Sequence, residues 1–228
     1  MSRYDIIIVS CGKPELTAAC FESIARHSDC ESLRVIWVDN KPEESCPPHN
    51  DLPTMCFPMP ENIGYIKAVN LGIAISTAPY VILLNNDTRI QTQAWMAKMA
   101  VMLDPYRTPQ VGAVCPRLVN PHTAEPPTSE NEIVDYELLK GHGLSFACCM
   151  VSREALRDVG YLDERFCPMY GEDDDWFQRA KIAGWQIARC NDVTVFHQVS
   201  ATTWRYSENY RMIRATNTEK LKEKYGLS

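Results

Sequence analysis

The sequence predicts an α/β fold with a mostly parallel central sheet flanked by helices. Two observations carry that expectation. Short apolar runs alternate with amphipathic stretches through the first half of the chain, the pattern of parallel strands joined by crossover helices. Polar clusters stand directly after those apolar runs, where ligands collect in open parallel sheets.

Asp5–Val9 is a buried-strand run, and Leu16 to about His27 has helical spacing. Arg34–Val38 is a second strand ending in Asp39-Asn40. A proline-rich connection with a short apolar piece at Met55–Phe57 precedes Glu61-Asn62-Ile63-Gly64-Tyr65 and a helix over Ile66–Ser76. Gly64 gives the backbone freedom to turn there and approach a ligand. Tyr80–Leu84 is a strand with Asn85-Asn86-Asp87 at its end, followed by a helix over Gln93–Leu103 and a strand over Val111–Cys115. Residues 118–132 hold three prolines and few hydrophobes, so an exposed loop is expected. Beyond it the pattern gives a strand at Ser145–Ser152, a helix at Arg153–Val159 and a helix at Asp173–Ala183 stopped by Gly184. A strand at Gln186–Phe196 ends at His197, and a polar helix runs over about Glu208–Lys224. With no repeats, one domain is expected over 1–228.

Composition narrows the function. Of 228 residues, 45% are hydrophobic and 23% charged, which suits a folded domain. The 23 basic and 29 acidic residues give a net charge of −6, which argues against a nucleic-acid surface. No run approaches the ~18 apolar residues of a spanning helix, and the start lacks a signal-peptide pattern. The ten cysteines form no CxxC pair, and several lie within apolar runs. Free thiols in a reducing compartment are expected, hence a cytoplasmic location.

The candidate chemistry lies at the strand ends. Asp87 suits a hard divalent ion that leaves coordination sites for phosphate, although Asn85, Asn86 and Asp87 also suit a turn that caps the next helix. The run Glu172-Asp173-Asp174-Asp175 is flanked by aromatics. It is either a solvated helix start or the source of a general base with a raised pKa. His197 is either a structural histidine or a metal or phosphate partner, which requires Asp87 nearby.

Together the segments DIIIVSCGK, VIWVDN, ENIGYIKAVNLGI, YVILLNNDT, GEDDDWFQRA and VFHQ resemble an inverting family-2 glycosyltransferase of the GT-A fold. The resemblance implies a donor site of Val9, Ser10, Asp39, Asn62, Gly64, Tyr65, Lys67, Asn70, Asn85 and Asn86. Asp87 takes the place of the metal-binding DxD motif, with Asn85 standing where that motif begins with aspartate, and His197 approaches the metal or the diphosphate. Mn2+ or Mg2+ is the implied cofactor. Asp173 is the implied base. Glu172 is expected to bind the acceptor, and Trp176 either stacks on a sugar or packs in the core. Residues 1–117 form the implied nucleotide-binding half and 118–228 the acceptor-binding and catalytic-base half. The expected reaction moves a sugar from a UDP- or dTDP-sugar to a saccharide hydroxyl with inversion. The alternatives are an inactive nucleotide-sugar-binding domain and a sugar nucleotidyltransferase.

Overall fold

The computed structural model describes residues 2–44, 52–104, 106, 110–120, 130–198 and 207–227, the last with side chains from 211 onward. Strands β1 (Tyr4–Ser10), β2 (Leu33–Asp39), β3 (Thr54–Pro58) and β4 (Tyr80–Asn85) form a parallel block in the order β3-β2-β1-β4. Helices α1 (Pro14–His27) and α2 (Tyr65–Ile75) make crossovers within it. The alternating apolar pattern is thus observed as expected.

The second half extends the same sheet. β6 (Val111–Val119), β8 (Cys148–Ser152) and β9 (Gln186–His197) continue the order as β4-β8-β6-β9, with β5 (Thr88–Ile90) at the far edge and β7 (Glu132–Val134) also on β9. β8 runs antiparallel to both β4 and β6, while β6 and β9 are parallel. Among the described residues six strands therefore run one way, and β5, β7 and β8 run against them.

Strand alternation sorts the core into two layers. Ile6, Ile8, Val35, Trp37, Ile82 and Leu84 face α1 and α3 (Trp95–Met102). Their neighbours Ile7, Val9, Ile36, Val38, Val81 and Leu83 face α2, α4 (Arg153–Val159), α5 (Glu172–Ile182) and α6 (Ser207–Tyr225). Successive side chains on a strand point to opposite faces, so continuous apolar runs are what a sheet covered on both sides requires. Gly72 belongs to this packing, because a Cβ there would lie 2.5 Å from Ile7 Cγ2.

Three expectations need correction. β6 continues to Val119 and β7 begins at Glu132, so the stretch 118–132 is not wholly loop; residues 121–129 lie outside the described ones. Leu118 and Val119 pair with Val195 and Phe196, a partnership that only the folded register creates. β8 is shorter than Ser145–Ser152, and β5 was not expected because three residues are too few for a period. Nine cysteines are free thiols, Cys46 lying outside the described residues. No helix among the described residues is long and apolar enough to cross a membrane.

Candidate active site

Sheet register gathers the polar strand ends. Ser10 pairs with Asp39 and Val9 with Asn85, which brings the ends of β1, β2 and β4 to one edge. The Trp37 indole N–H donates to Ser10 Oγ (2.7 Å), and the Ser10 hydroxyl donates to Asp39 Oδ1 (2.9 Å). The Lys41 amide donates to the same carboxylate oxygen (3.2 Å). Asp39 and Ser10 are buried, so this relay fixes the carboxylate before any ligand arrives. Asn40, whose donor-side contacts the sequence did not reveal, ties β2 to the next turn. Its Nδ2 donates to Gly64 O and its Oδ1 accepts from the Ile63 amide, both at 3.4 Å.

The turn before α2 is built from Asn62 and Gly64. Asn62 Oδ1 accepts the Gly64 amide at 2.9 Å, an Asx turn, and Asn62 Nδ2 reaches Cys11 Sγ at 3.3 Å. Gly64 has φ 83°, and a Cβ there would stand 3.2 Å from Pro168 Cβ. The Tyr65 and Ile66 amides donate to Pro168 O at 3.0 and 3.4 Å. The start of α2 is therefore capped by the segment that leads into α5. Lys67 is exposed on the first turn of α2. Asn70 differs from the rest of the expected donor set. Its Nδ2 donates to Leu162 O and its Oδ1 accepts the Leu162 amide, each at 2.9 Å, so its amide braces the main chain before α5.

The three residues after the YVILL strand diverge. Asn85 Oδ1 is buried without a hydrogen-bond partner. Asn86 turns to α1, where its Nδ2 donates to Thr17 Oγ1 at 2.9 Å. Asp87 is buried, and its Oδ1 lies 3.3 Å from His197 Nε2. The pairing of Thr88 with His197 across β5 and β9 produces that contact, which the sequence alone left open. Two ligands at right angles on one small cation, each about 2.1 Å from it, stand about 3 Å apart, so the pair fits a shared divalent ion. The orphaned Asn85 oxygen close by in the chain is a further oxygen donor without a partner. Among the described residues no three His, Cys, Asp or Glu side chains converge, so the protein offers the pair and not a closed cage.

The four carboxylates at the start of α5 divide by role. Glu172 is buried with Oε2 unpartnered, and burial first, then the charge of Asp173, hold its carboxyl well above the ordinary range. Asp173 is partly exposed. Burial first and the neighbouring Asp174 charge push it up to about 6, against the Asp174 and Asp173 amides and the Ser145 hydroxyl, which favour its anion. Asp174 is not a purely solvated helix-start carboxylate: its Oδ1 accepts the Tyr136 hydroxyl at 2.9 Å, and burial raises its pKa. Asp175 is fully buried and accepts from Arg179 Nε (2.8 Å), Lys224 Nζ (2.5 Å) and the Tyr225 hydroxyl (2.7 Å).

Trp176 is a core residue. It is fully buried, its indole N–H donates to Gly160 O at 3.0 Å, and its ring packs edge-on against Phe146 at 5.9 Å. It cannot stack on an acceptor sugar without leaving the core, so of the two expectations the packing one holds.

One phenol lies within the charge field of both the Asp87–His197 pair and the acidic run. Tyr65 donates to Phe146 O at 3.4 Å. Burial raises its pKa most, followed by the charges of Glu172, Asp173 and, more weakly, Asp87. A single hydroxyl thus lies in the field of both clusters. Tyr136 and Ser145 were missed by sequence reasoning, because nothing in their local pattern distinguishes them from turn residues.

Residues 5–160 match Glycosyl transferase family 2, a span from β1 to α4 that holds Asp39, Gly64 and Asp87 and stops before Glu172 and His197. No curated protein matches the chain in sequence. Among solved structures, S. aureus TarS 1-349 is 16% identical with a TM-score of 0.65, covering 88% of this chain and 61% of its own. The mannosyltransferase PcManGT from Pyrobaculum calidifontis, in complex with GDP-Man and Mn2+, is 17% identical with a TM-score of 0.66, covering 95% of this chain and 61% of its own. GalNAc-T7 with UDP, GalNAc and Mn2+ is 14% identical with a TM-score of 0.64, covering 86% and 43%. The chain thus spans about three fifths or less of these proteins, and they share its fold. With more than half its length matched, the chain belongs to glycosyl transferase family 2, a family of inverting, nucleotide-sugar-dependent hexosyltransferases, and has the GT-A fold.

Proposed function

We propose that this chain transfers a sugar from a UDP- or dTDP-sugar to a saccharide hydroxyl with inversion at the anomeric carbon. The observation that carries the proposal is Asp173, a partly exposed carboxyl at the start of α5 beside buried Glu172, raised to about 6 by burial and by the Asp174 charge. A saccharide hydroxyl is far too weak an acid to ionise at neutral pH. Its proton must be taken as the oxygen attacks, and a base with pKa near the working pH does that most effectively. Asp173 takes the proton, and one displacement inverts the configuration without a covalent sugar–enzyme intermediate.

On the donor side, the Ser10-anchored Asp39 carboxylate accepts from base or ribose, and the Asn62–Tyr65 turn borders the diphosphate with Lys67. Asp87 and His197 would hold a divalent ion, Mn2+ or Mg2+, which would supply Lewis-acid stabilisation of the negative charge on a leaving diphosphate. Support comes from neighbours of the same fold: one TarS structure is in complex with UDP-GlcNAc, and PcManGT is in complex with GDP-Man and Mn2+. Residues 1–117 form the donor half and 118–228 the acceptor and base half. Buried Glu172 lines the acceptor side next to Asp173.

Asp173→Asn tests the assignment. The variant keeps nucleotide-sugar affinity in calorimetry and loses ~10²-fold or more in turnover, the scale of general-base catalysis. Unchanged turnover returns the base to another residue.

A further inference from the structure

The segment between the short turn at Glu164–Phe166 and α5 contacts both halves of the proposed site. On one side Pro168 O accepts the first two amides of α2 and crowds Gly64. On the other side the segment runs through Gly171 into Glu172 and Asp173. Asn217 of α6 lies behind this turn. It is 2% exposed, and its Nδ2 lies 2.8 Å from Phe166 O, 2.9 Å from Met169 O and 2.9 Å from Tyr170 O. Two N–H bonds facing three carbonyls mean that the main chain curls around this one amide. Buried carbonyls need partners, so the turn keeps its shape only while the amide is there.

Gly171 fits the same wrap. It has φ 86°, and a Cβ there would stand 3.3 Å from Leu221 Cδ1 and 3.6 Å from Asn217 Cβ. Two turns further along α6, Lys224 and Tyr225 hold Asp175. Asp173 is thus suspended between two anchor points on a single helix.

We infer that Asn217 is a positioning residue: from α6 it fixes the turn 166–171, which sets the placement of Asp173 and of the Asn62–Tyr65 turn together. Its consequence for catalysis rests on the reading of Asp173 as base, whereas the placement does not. The titratable groups facing Asp173 are Glu172 and Asp174 on its own helix, Tyr65 from α2, Cys149 from β8 and Tyr136 from the segment after β7. None of these hydrogen-bonds to Asn217, and Asn217 carries no charge. Removing its amide can reach Asp173 only by moving the turn.

The test is a carboxyl NMR titration of Asp173 in wild type, Asn217→Ala and Asn217→Ser, with UDP affinity measured alongside. A loosened turn admits water, which favours the anion, so in Asn217→Ala the midpoint falls by about half a unit or more. UDP binding weakens by about fivefold, the net worth of one hydrogen bond. Asn217→Ser keeps one neutral donor and falls between. Met99→Ala, in the other core layer, lowers the melting temperature and leaves the midpoint alone. A folded Asn217→Ala with the wild-type midpoint overturns the inference, and so does Met99→Ala moving it equally. Where Asn217→Ala does not fold, an unmoved midpoint in Asn217→Ser overturns it. A wild-type protein that transfers no sugar defeats the proposed function only, because the midpoint alone decides this inference.

Discussion

Asp173 differs from its three neighbours through its surroundings and not its chemistry. Glu172 is deeper, Asp174 is held by Tyr136, and Asp175 is held by two cations and a phenol. A base must be ionised to act, so with Asp173 as the proposed base transfer is expected to rise with pH through about 6 and to be lost below it. The same raised pKa has a consequence for stability. The folded state binds this proton more tightly than the unfolded chain, so the contribution of Asp173 is favourable at low pH and lost as pH rises through about 6. Asp173→Asn therefore raises the melting temperature at pH 7.5 relative to wild type while it lowers kcat, a combination that loss of fold cannot produce. Asp39 makes a second residue-level prediction. Asp39→Ala weakens nucleotide affinity by about 1.5–3 kcal/mol, the range for a charged hydrogen bond, as read by calorimetry with UDP. Unchanged affinity leaves Asp39 as the structural acceptor for Ser10 and Lys41.

At the scale of elements, α6 is the part whose role the sequence least discloses. Among its described side chains the buried positions are Asn217 and Leu221, four residues apart on one face of a polar helix, with Lys224 and Tyr225 continuing the stripe. Two of those four, Asn217 and Lys224, are polar, so an apolar periodicity does not reveal the face. Asp175 is the partner that makes the face work. Removing it strands Arg179 and Lys224 beside a buried void, which costs about 3–5 kcal/mol when one partner of a buried ion pair is lost. Asp175→Ala therefore lowers the melting temperature sharply and removes hydrogen-exchange protection from α6. Full stability with lost turnover would make Asp175 a chemical residue instead.

The whole molecule joins the polar strand ends of the parallel block to elements that return to the same sheet. Asp87 and His197 are far apart in the chain and meet only across β5 and β9. Two protein ligands hold a hard cation weakly until phosphate oxygens complete its shell. Mn2+ alone and UDP alone therefore shift the melting temperature little, whereas both together shift it strongly, since ligands of the native state stabilise it by mass action. Asp87→Ala abolishes the synergy and keeps the fold. Equal stabilisation by UDP in EDTA defeats the assignment of this pair.

The sequence by itself determined the strands and helices of the parallel block and the polar residues at their ends. Those features rest on local periodicity and on the rule that strand ends face ligands, both readable residue by residue. It singled out Asp87 and the acidic run as candidates, because carboxylates beside apolar runs are chemically conspicuous. Only the tertiary structure decided that His197 meets Asp87, that Trp176 is core, that Asn70 is a brace and that Asp174 faces Tyr136. It also decided the direction of β8 and the existence of β5 and β7. These depend on contacts between residues far apart in the chain. Whether a polar side chain binds a ligand or satisfies a buried carbonyl depends on which main-chain groups the fold leaves without partners, and no local pattern records that.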